Sequence, residues 1–257
     1  MQFSAPALAR IVVKLDRTKK ERDNGQGEYF ADEQRDFHTE FGIVPKAALK
    51  ACGVHAVGRT KVLIYPAAFS DQYARLQRGV QIITPKDLGL IITETGMDNG
   101  SVVLDIGFGS GAVTAYLSRI VKKVYAYDVV ERNIALGLRN LEELGTPKRY
   151  EVKKGDAYDE KSIGQENEID VFVLDVPEPW KALAVAEKSL KSGGWLVAYT
   201  PCITQANQLA DSLGDGFHLV KCVELIEREW KVEGKAVRPV TKDFSHTAFL
   251  SFVRKVA

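Results

Sequence analysis

Four carboxylates occupy positions where they could do chemistry: Asp105, Asp128, Asp156 and Asp175. Each closes or closely follows a strand-like run, namely Val102–Leu104, Lys123–Tyr127, Arg149–Lys153 and Ile169–Leu174. Between the first two acids lies Gly107-Phe108-Gly109-Ser110-Gly111. Glycines at alternate positions let the backbone pass close to a ligand, which a Cβ would obstruct. One acid at a strand end is more often a turn or cap residue. Four in succession around a glycine turn point to a shared ligand. N–H groups of the turn, beside a helix N-terminus, suit a carboxylate or phosphate. Asp105 suits a cationic group such as an amine and would repel a pyrophosphate. Asp128 stands about 20 residues further on, where an acid accepts from ribose hydroxyls. Asp156 can accept from an adenine amino group. An amino acid end, a ribose and an adenine describe S-adenosylmethionine. NAD satisfies the ribose acid but leaves Asp105 unexplained. Gly107, Gly109 and Ala112 also meet the looser dinucleotide pattern, so a dehydrogenase stays a rival.

The fourth acid begins Asp175-Val176-Pro177-Glu178-Pro179-Trp180. Two prolines stiffen the backbone past the sheet and fix the Asp175 carboxylate. Trp180 either stacks on a flat base or packs under the next helix. A rigid polar and aromatic loop at this place is what a base-modifying methyltransferase needs.

The elements that position these residues follow from the apolar pattern. From Val102 onward strand and helix alternate, which implies a parallel sheet with crossovers. Strands are expected over 102–105, 123–128, 149–153, 169–175 and 195–200. Helices are expected over 112–121, 131–144, 180–190 and 203–213. Phe217–Ile226 and His246–Val253 are extended and pair antiparallel. The first 66 residues differ. Ala9–Leu15 and Lys61–Tyr65 read as short strands, and Asp16–Gln34 as an exposed loop or hairpin tip. Ala67–Leu76 and Leu88–Thr95 read as helices. The expected architecture is a Rossmann-like parallel sheet over 67–257 with a small N-terminal β-domain over 1–66.

The chain has 257 residues, a formal net charge of +1, 45% hydrophobic and 27% charged residues. This suits a packed core and announces no nucleic-acid partner through global charge, so any basic surface must be local. Arg22, Lys122, Lys123, Arg228, Lys231, Lys235 and Arg238 could form such patches. Cys52, Cys202 and Cys222 form no CxxC pair, which argues against zinc and a disulfide framework. A reduced cytoplasmic protein is expected, with no membrane span, signal peptide or metal.

At these residues the sequence resembles the tRNA (adenine-N1)-methyltransferases that modify the T-loop adenine at position fifty-eight, most of all the archaeal form. The likeness runs from about Phe37 to the end. It is carried by Arg78–Asp87, by Asp175–Trp180, by Pro201-Cys202-Ile203-Thr204-Gln205, and by Arg238-Pro239 with His246–Leu250. The resemblance implies a seven-stranded Rossmann-like class I methyltransferase sheet with a small N-terminal β-domain, and a homotetramer acting on tRNA. It implies cofactor contacts at Ile83, Asp105, Gly107, Gly109, Ser110, Gly111, Asp128, Asp156, Ala157 and Asp175, with Asp175 also catalytic. Substrate contacts are expected at Thr84, Pro177, Trp180, Arg238 and His246. Thr84 stands where relatives often carry Tyr or His, and Asp128 where Glu is common. The rivals are a methyltransferase of another substrate, the dehydrogenase, and a non-catalytic tRNA-binding subunit.

Overall fold

A computed structural model describes residues 8–14, 28–39, 42–58, 60–240 and 246–256. The chain divides into two compact units, Met1–Leu76 with Glu142–Gly145, and Gln77–Leu141 with Thr146–Ala257.

The first unit holds β1 (Leu8–Lys14), β2 (Glu28–Asp32), β3 (Phe37–Thr39), β4 (Gly42–Val44), α1 (Lys46–Ala51), β5 (Gly53–Val57), β6 (Thr60–Pro66) and α2 (Phe69–Tyr73). Its antiparallel sheet runs β2-β1-β6-β5. Ala31, Val44, Leu49, Val57, Val62 and Ile64 form a small core of their own. The stretch read as an exposed loop over 16–34 contains β2, paired to β1 from Leu8 opposite Asp32 to Val12 opposite Glu28. Arg22 and Leu15 lie outside the described residues. The helix expected over 67–76 is the five-residue α2, and it falls with this first unit.

The second unit follows as α3 (Pro85–Thr95), β7 (Val102–Ile106), α4 (Ala112–Leu117), β8 (Lys123–Asp128), α5 (Glu131–Glu143), β9 (Tyr150–Lys154), β10 (Ile169–Leu174), a 3₁₀ turn over Pro179–Ala182, α6 (Leu183–Ser189), β11 (Leu190–Thr200), α7 (Ile203–Asp211), β12 (Phe217–Glu224), β13 (Trp230–Glu233), β14 (Ala236–Pro239) and β15 (Phe249–Lys255). Seven strands form one sheet in the order β12-β15-β11-β10-β7-β8-β9. β15 alone runs against its neighbours. Successive strand residues face opposite sides, so each face has its own core. Val103, Val171, Val173, Val197 and Phe252 pack with Leu88 and Ile91 of α3 on one face. Leu104, Ile106, Phe172, Leu174, Leu196 and Val253 pack with Val185 and Ala186 of α6 on the other. Apolar runs buried on both faces mark a parallel sheet. The predicted strand–helix alternation is this sheet, and the expected antiparallel pair is β12 with β15. The helix expected over 180–190 begins as the 3₁₀ turn, and α4 stops at Leu117.

The chain leaves β7 toward β8 and β9, whereas β10 and β11 lie on the other side of β7. Ligands gather beyond the carboxyl ends of strands at such a reversal. Helix α5 backs the glycine turn there through Gly137. A Cβ at Gly137 would run into the Phe108 ring and stand 3.1 Å from the Gly109 carbonyl oxygen. In an open helix position Gly→Ala gains about 0.5–1 kcal/mol. Here the overlap reverses the sign: Gly137→Ala should lose about 1–3 kcal/mol by chemical denaturation. A stabilised variant would mean that the helix does not press on the turn.

Candidate active site

At the reversal the turn and the end of β10 lie in direct contact. The Asp175 amide donates to the Ile106 carbonyl at 2.9 Å. Gly107 has φ +93°, and a Cβ there would strike the Asp175 carbonyl oxygen. Only glycine supplies both the left-handed backbone and the missing Cβ. The turn closes on itself. The amides of Gly107 and Phe108 donate to the Tyr127 carbonyl, each at 3.0 Å, and Gly111 donates to the Phe108 carbonyl at 2.8 Å. Gly109 donates to Asp128 Oδ2 at 2.8 Å. The sequence pattern alone has these amides facing a ligand. Four of them are instead engaged within the protein, so the turn offers close approach more than an anion cradle.

Asp128 is buried, and its Oδ1 accepts the Val130 amide at 2.8 Å. It therefore orders the turn as well as ending β8. Ser110 is buried: its hydroxyl accepts the Gly79 amide at 3.2 Å, and its carbonyl accepts Asn140 Nδ2 at 2.9 Å. Ile83 is buried in the core. Asn140, which also bonds the Gln77 carbonyl, was not read from sequence.

Asp105 is buried and accepts the Thr114 hydroxyl at 2.6 Å. Burial, with the Asp128 charge adding to it, pushes its carboxyl up to about 7 against the Thr114 hydrogen bonds. Asp175 is half-buried, and its carboxylate has no hydrogen-bond partner among the described residues. Burial first, and the Asp105 charge second, raise it to about 7 as well. Two carboxyls press on each other with no ion pair to either among the described residues, an arrangement that favours a cationic ligand.

Asp156 lies exposed two residues past β9, and Ala157 is buried beside Tyr127 and Ile163. Past Asp175 the loop is braced: Gln205 Nε2 donates to the Pro177 carbonyl at 2.8 Å. Trp180 is half-buried in the 3₁₀ turn. Thr84 precedes α3, and its hydroxyl donates to Asp87 Oδ2 at 2.9 Å. Asp87 is fully buried, paired at 2.6 Å with Lys86 Nζ, which also reaches the Leu225 carbonyl and Thr247 Oγ1 at 2.7 Å each. The Tyr199 hydroxyl donates to the same carboxylate at 3.3 Å. Burial and then the Asp87 charge raise the Tyr199 phenol above its usual range, and the Asp175 charge reaches it too. Sequence reasoning missed this buried network.

His246 is a clamp. Nδ1 lies 2.6 Å from Glu224 Oε1 and Nε2 lies 2.7 Å from the Pro201 carbonyl. Both neighbours are acceptors, which suits a doubly protonated ring, and Glu224 is the main cause of its raised pKa. His246, expected as a substrate contact, ties together the ends of β11, β12 and β15. Arg238 is exposed on the β13–β14 hairpin, outside the seven-stranded sheet. The three cysteines are free.

The raised carboxyls have a consequence for stability. Between 3.8, its ordinary value, and about 7, folded Asp105 holds a proton that the unfolded chain has released. Stability of the ligand-free protein therefore falls as pH rises through this window. Asp105→Asn keeps an acceptor for Thr114 and removes the charge. It should be more stable than wild type at about pH 8, by about 1–3 kcal/mol, seen as a higher unfolding midpoint, and lose that advantage near about pH 4. Equal midpoints at both pH values would mean that the buried charge carries no penalty.

The family model described as tRNA methyltransferase complex GCD14 subunit matches residues 73–246. A relative in Methanocaldococcus jannaschii, named tRNA (adenine(57)-N(1)/adenine(58)-N(1))-methyltransferase TrmI, is 34% identical over 248 residues, covering 85% of this chain and 87% of that protein. A Thermus thermophilus protein named tRNA (adenine(58)-N(1))-methyltransferase TrmI is 31% identical over 227 residues, covering 85% of this chain and 88% of that protein. Among solved structures, a SAM-dependent O-methyltransferase from Thermotoga maritima has a TM-score of 0.83 at 25% identity, covering 100% of this chain and 95% of that one. The tRNA (m1A58) methyltransferase TrmI of Aquifex aeolicus has a TM-score of 0.81 over the whole of both chains at 23% identity, a likeness of fold. With a seven-stranded methyltransferase-like sheet and a family match spanning most of its length, the chain belongs to the tRNA methyltransferase complex GCD14 subunit family.

Proposed function

We propose that this methyltransferase transfers a methyl group from S-adenosylmethionine to N1 of a T-loop adenine in tRNA. The observation that carries the reading is the Asp175 carboxylate, without a partner among the described residues, beside buried Asp105 at the sheet reversal. S-adenosylmethionine carries an ammonium and a sulfonium, which such a pair favours. The pyrophosphate of NAD would meet the Asp105 charge. Asp105 with Gly107, Gly109 and Gly111 would hold the amino acid end, Asp128 the ribose, and Asp156 with Ala157 the adenine. Ser110 and Ile83 back them.

When bound, S-adenosylmethionine supplies an activated methyl group on a good leaving group. The chain's own work is positioning and charge. The target base must leave its stack to be reached. Pro177 and Pro179 keep the loop rigid, and Trp180 offers it an aromatic face. N1-methylation leaves a positive base. The Asp175 carboxylate accepts from the adenine N6 amino group, stabilises that charge and can take a proton from it. A cation in the site lowers the Asp175 pKa and keeps it ionised.

Incubation with labelled S-adenosylmethionine and unmodified tRNA should give 1-methyladenosine in the T-loop. Label in another nucleoside, or none in RNA, would overturn the reading. Asp175→Asn retains an acceptor without charge, and its single-turnover rate should fall by about 10²–10³. The wild-type kcat/KM should rise with pH and level off above about 7, the value of the free carboxyl. A variant at the wild-type rate would exclude charge stabilisation by Asp175.

The working form we propose is a cytoplasmic homotetramer. Among the described residues no helix is long and apolar enough to cross a membrane. The β13–β14 hairpin exposes Trp230 by 52%, Val232 by 76% and Val237 by 59%, apolar surface of the kind that subunit contacts cover. Lys231, Lys235 and Arg238 beside them supply positive charge for RNA. Light scattering should give four copies, and a fully active monomer would refute the assembly.

A further inference from the structure

Tyr158 lies in the loop after β9, 38% exposed. Its backbone amide donates to Asp156 Oδ1 at 2.9 Å. The Asp156 amide in turn donates to Ser162 Oγ at 2.8 Å, and the Ser162 hydroxyl faces the Asp156 and Asp159 carbonyls at 2.9 and 3.0 Å. The carboxylate of Asp156 thus sets the backbone from which Tyr158 projects. At its other end the Tyr158 hydroxyl accepts the Glu178 amide at 3.1 Å. Glu178 lies midway in the loop that runs from Asp175 to Trp180. One side chain therefore joins the acid placed at the adenine end of the cofactor to the main chain of the loop placed at the target base.

We propose that Tyr158 is a positioning residue that couples occupancy of the adenine subsite to the order of the Val176–Trp180 loop, so that the cofactor tightens the protein's hold on the target nucleotide. This rests on the adenine role given to Asp156. A carboxylate has about four acceptor directions, so a ligand amino group and the Tyr158 amide can share it. The ligand then holds Asp156 in one rotamer, and Asp156 holds Tyr158. The opposite side of the loop is held by Gln205 at the Pro177 carbonyl, a bond that involves neither Asp156 nor the adenine. Lys181 pairs with the Glu178 side chain at 2.8 Å and lies 6.0 Å from the Tyr158 ring centroid, so it contacts the same corner without making the link.

The test measures tRNA affinity with and without S-adenosylhomocysteine, which fills the site without transferring a methyl group. In the wild type it should strengthen tRNA binding by about 3–10-fold, the effect of one hydrogen bond. Tyr158→Phe keeps the ring and removes the acceptor. It should bind S-adenosylhomocysteine within about twofold of wild type and lose the strengthening. Hydrogen exchange at the Glu178 amide should slow on adding S-adenosylhomocysteine in the wild type and not in Tyr158→Phe, a readout that a general loss of stability would not produce. Lys181→Met should keep the coupling. A wild type without coupling, a Tyr158→Phe protein that keeps it, or a Lys181→Met protein that loses it would each overturn the proposal. Asp156→Ala separates the two levels. It should weaken S-adenosylhomocysteine binding; unchanged affinity would remove Asp156 from the adenine subsite and the coupling with it. Weakened affinity together with intact coupling in Tyr158→Phe would reject the role of Tyr158 alone.

Discussion

The site depends on how closely two strand ends approach. β7 and β10 are parallel neighbours, and the Asp175 amide on the Ile106 carbonyl carries their ladder one residue past the last pair. The glycine turn must leave β7 at that point, and Gly107 lets it do so against the Asp175 backbone. Any side chain at 107 would push β10's exit outward and with it the acid that begins the loop. The buried pairing of Asp105 and Asp175 follows from the same contact. Strand register, not flexible reach, brings the two carboxyls together.

The electrostatics of this corner are unbalanced. Asp128 is buried too, yet its oxygens accept two backbone amides, whereas Asp175 has none among the described residues. On the neighbouring face the buried Asp87 is matched by Lys86 at 2.6 Å and by two hydroxyls. A buried charge with a partner holds segments together, and one without is poised for a ligand. The two kinds sit on adjacent elements, α3 and the end of β10, which separates architecture from chemistry within one site.

The parallel sheet and the row of acids were legible because they rest on local pattern: apolar runs of strand length, each closed by Asp. The two prolines and the glycine turn were legible for the same reason. Other features had weaker local signals or none. β2 carries Glu28 and Asp32 and looked like solvated loop, and pairing with β1 makes it a strand. The β13–β14 hairpin had a visible cue, alternation on either side of Gly234 and Lys235, but an isolated two-stranded ribbon adds nothing to a sheet pattern. Gly137 carried no signal of its own within the helix expected over 131–144, and its meaning lies in Phe108, 29 positions away by number. The pairing of Lys86 with Asp87 had no local signal. Their partners lie at Leu225 and Thr247, 139 and 161 residues on from Lys86, beyond anything periodicity can express. His246 was expected at the start of the extended run that becomes β15, and only its partners show that it acts as a clamp.

The position of β15 bears on how the chain acquires this structure. It is the last of the seven sheet strands in sequence, yet it lies between β11 and β12. While the chain emerges from the ribosome, β11 therefore presents an unpaired, apolar edge until residues 249–255 have been made. β12, already synthesised, cannot close that edge in the final register, because its place is one strand further out. Such an edge is a template for pairing with other chains, and the contacts that close it are long in sequence separation and slow to form. Completion of the sheet therefore waits on β15, whatever order the earlier strands take. The Lys86 bridge and the His246 clamp both involve residues just ahead of β15, so the insertion that closes the sheet also brings their partners into place.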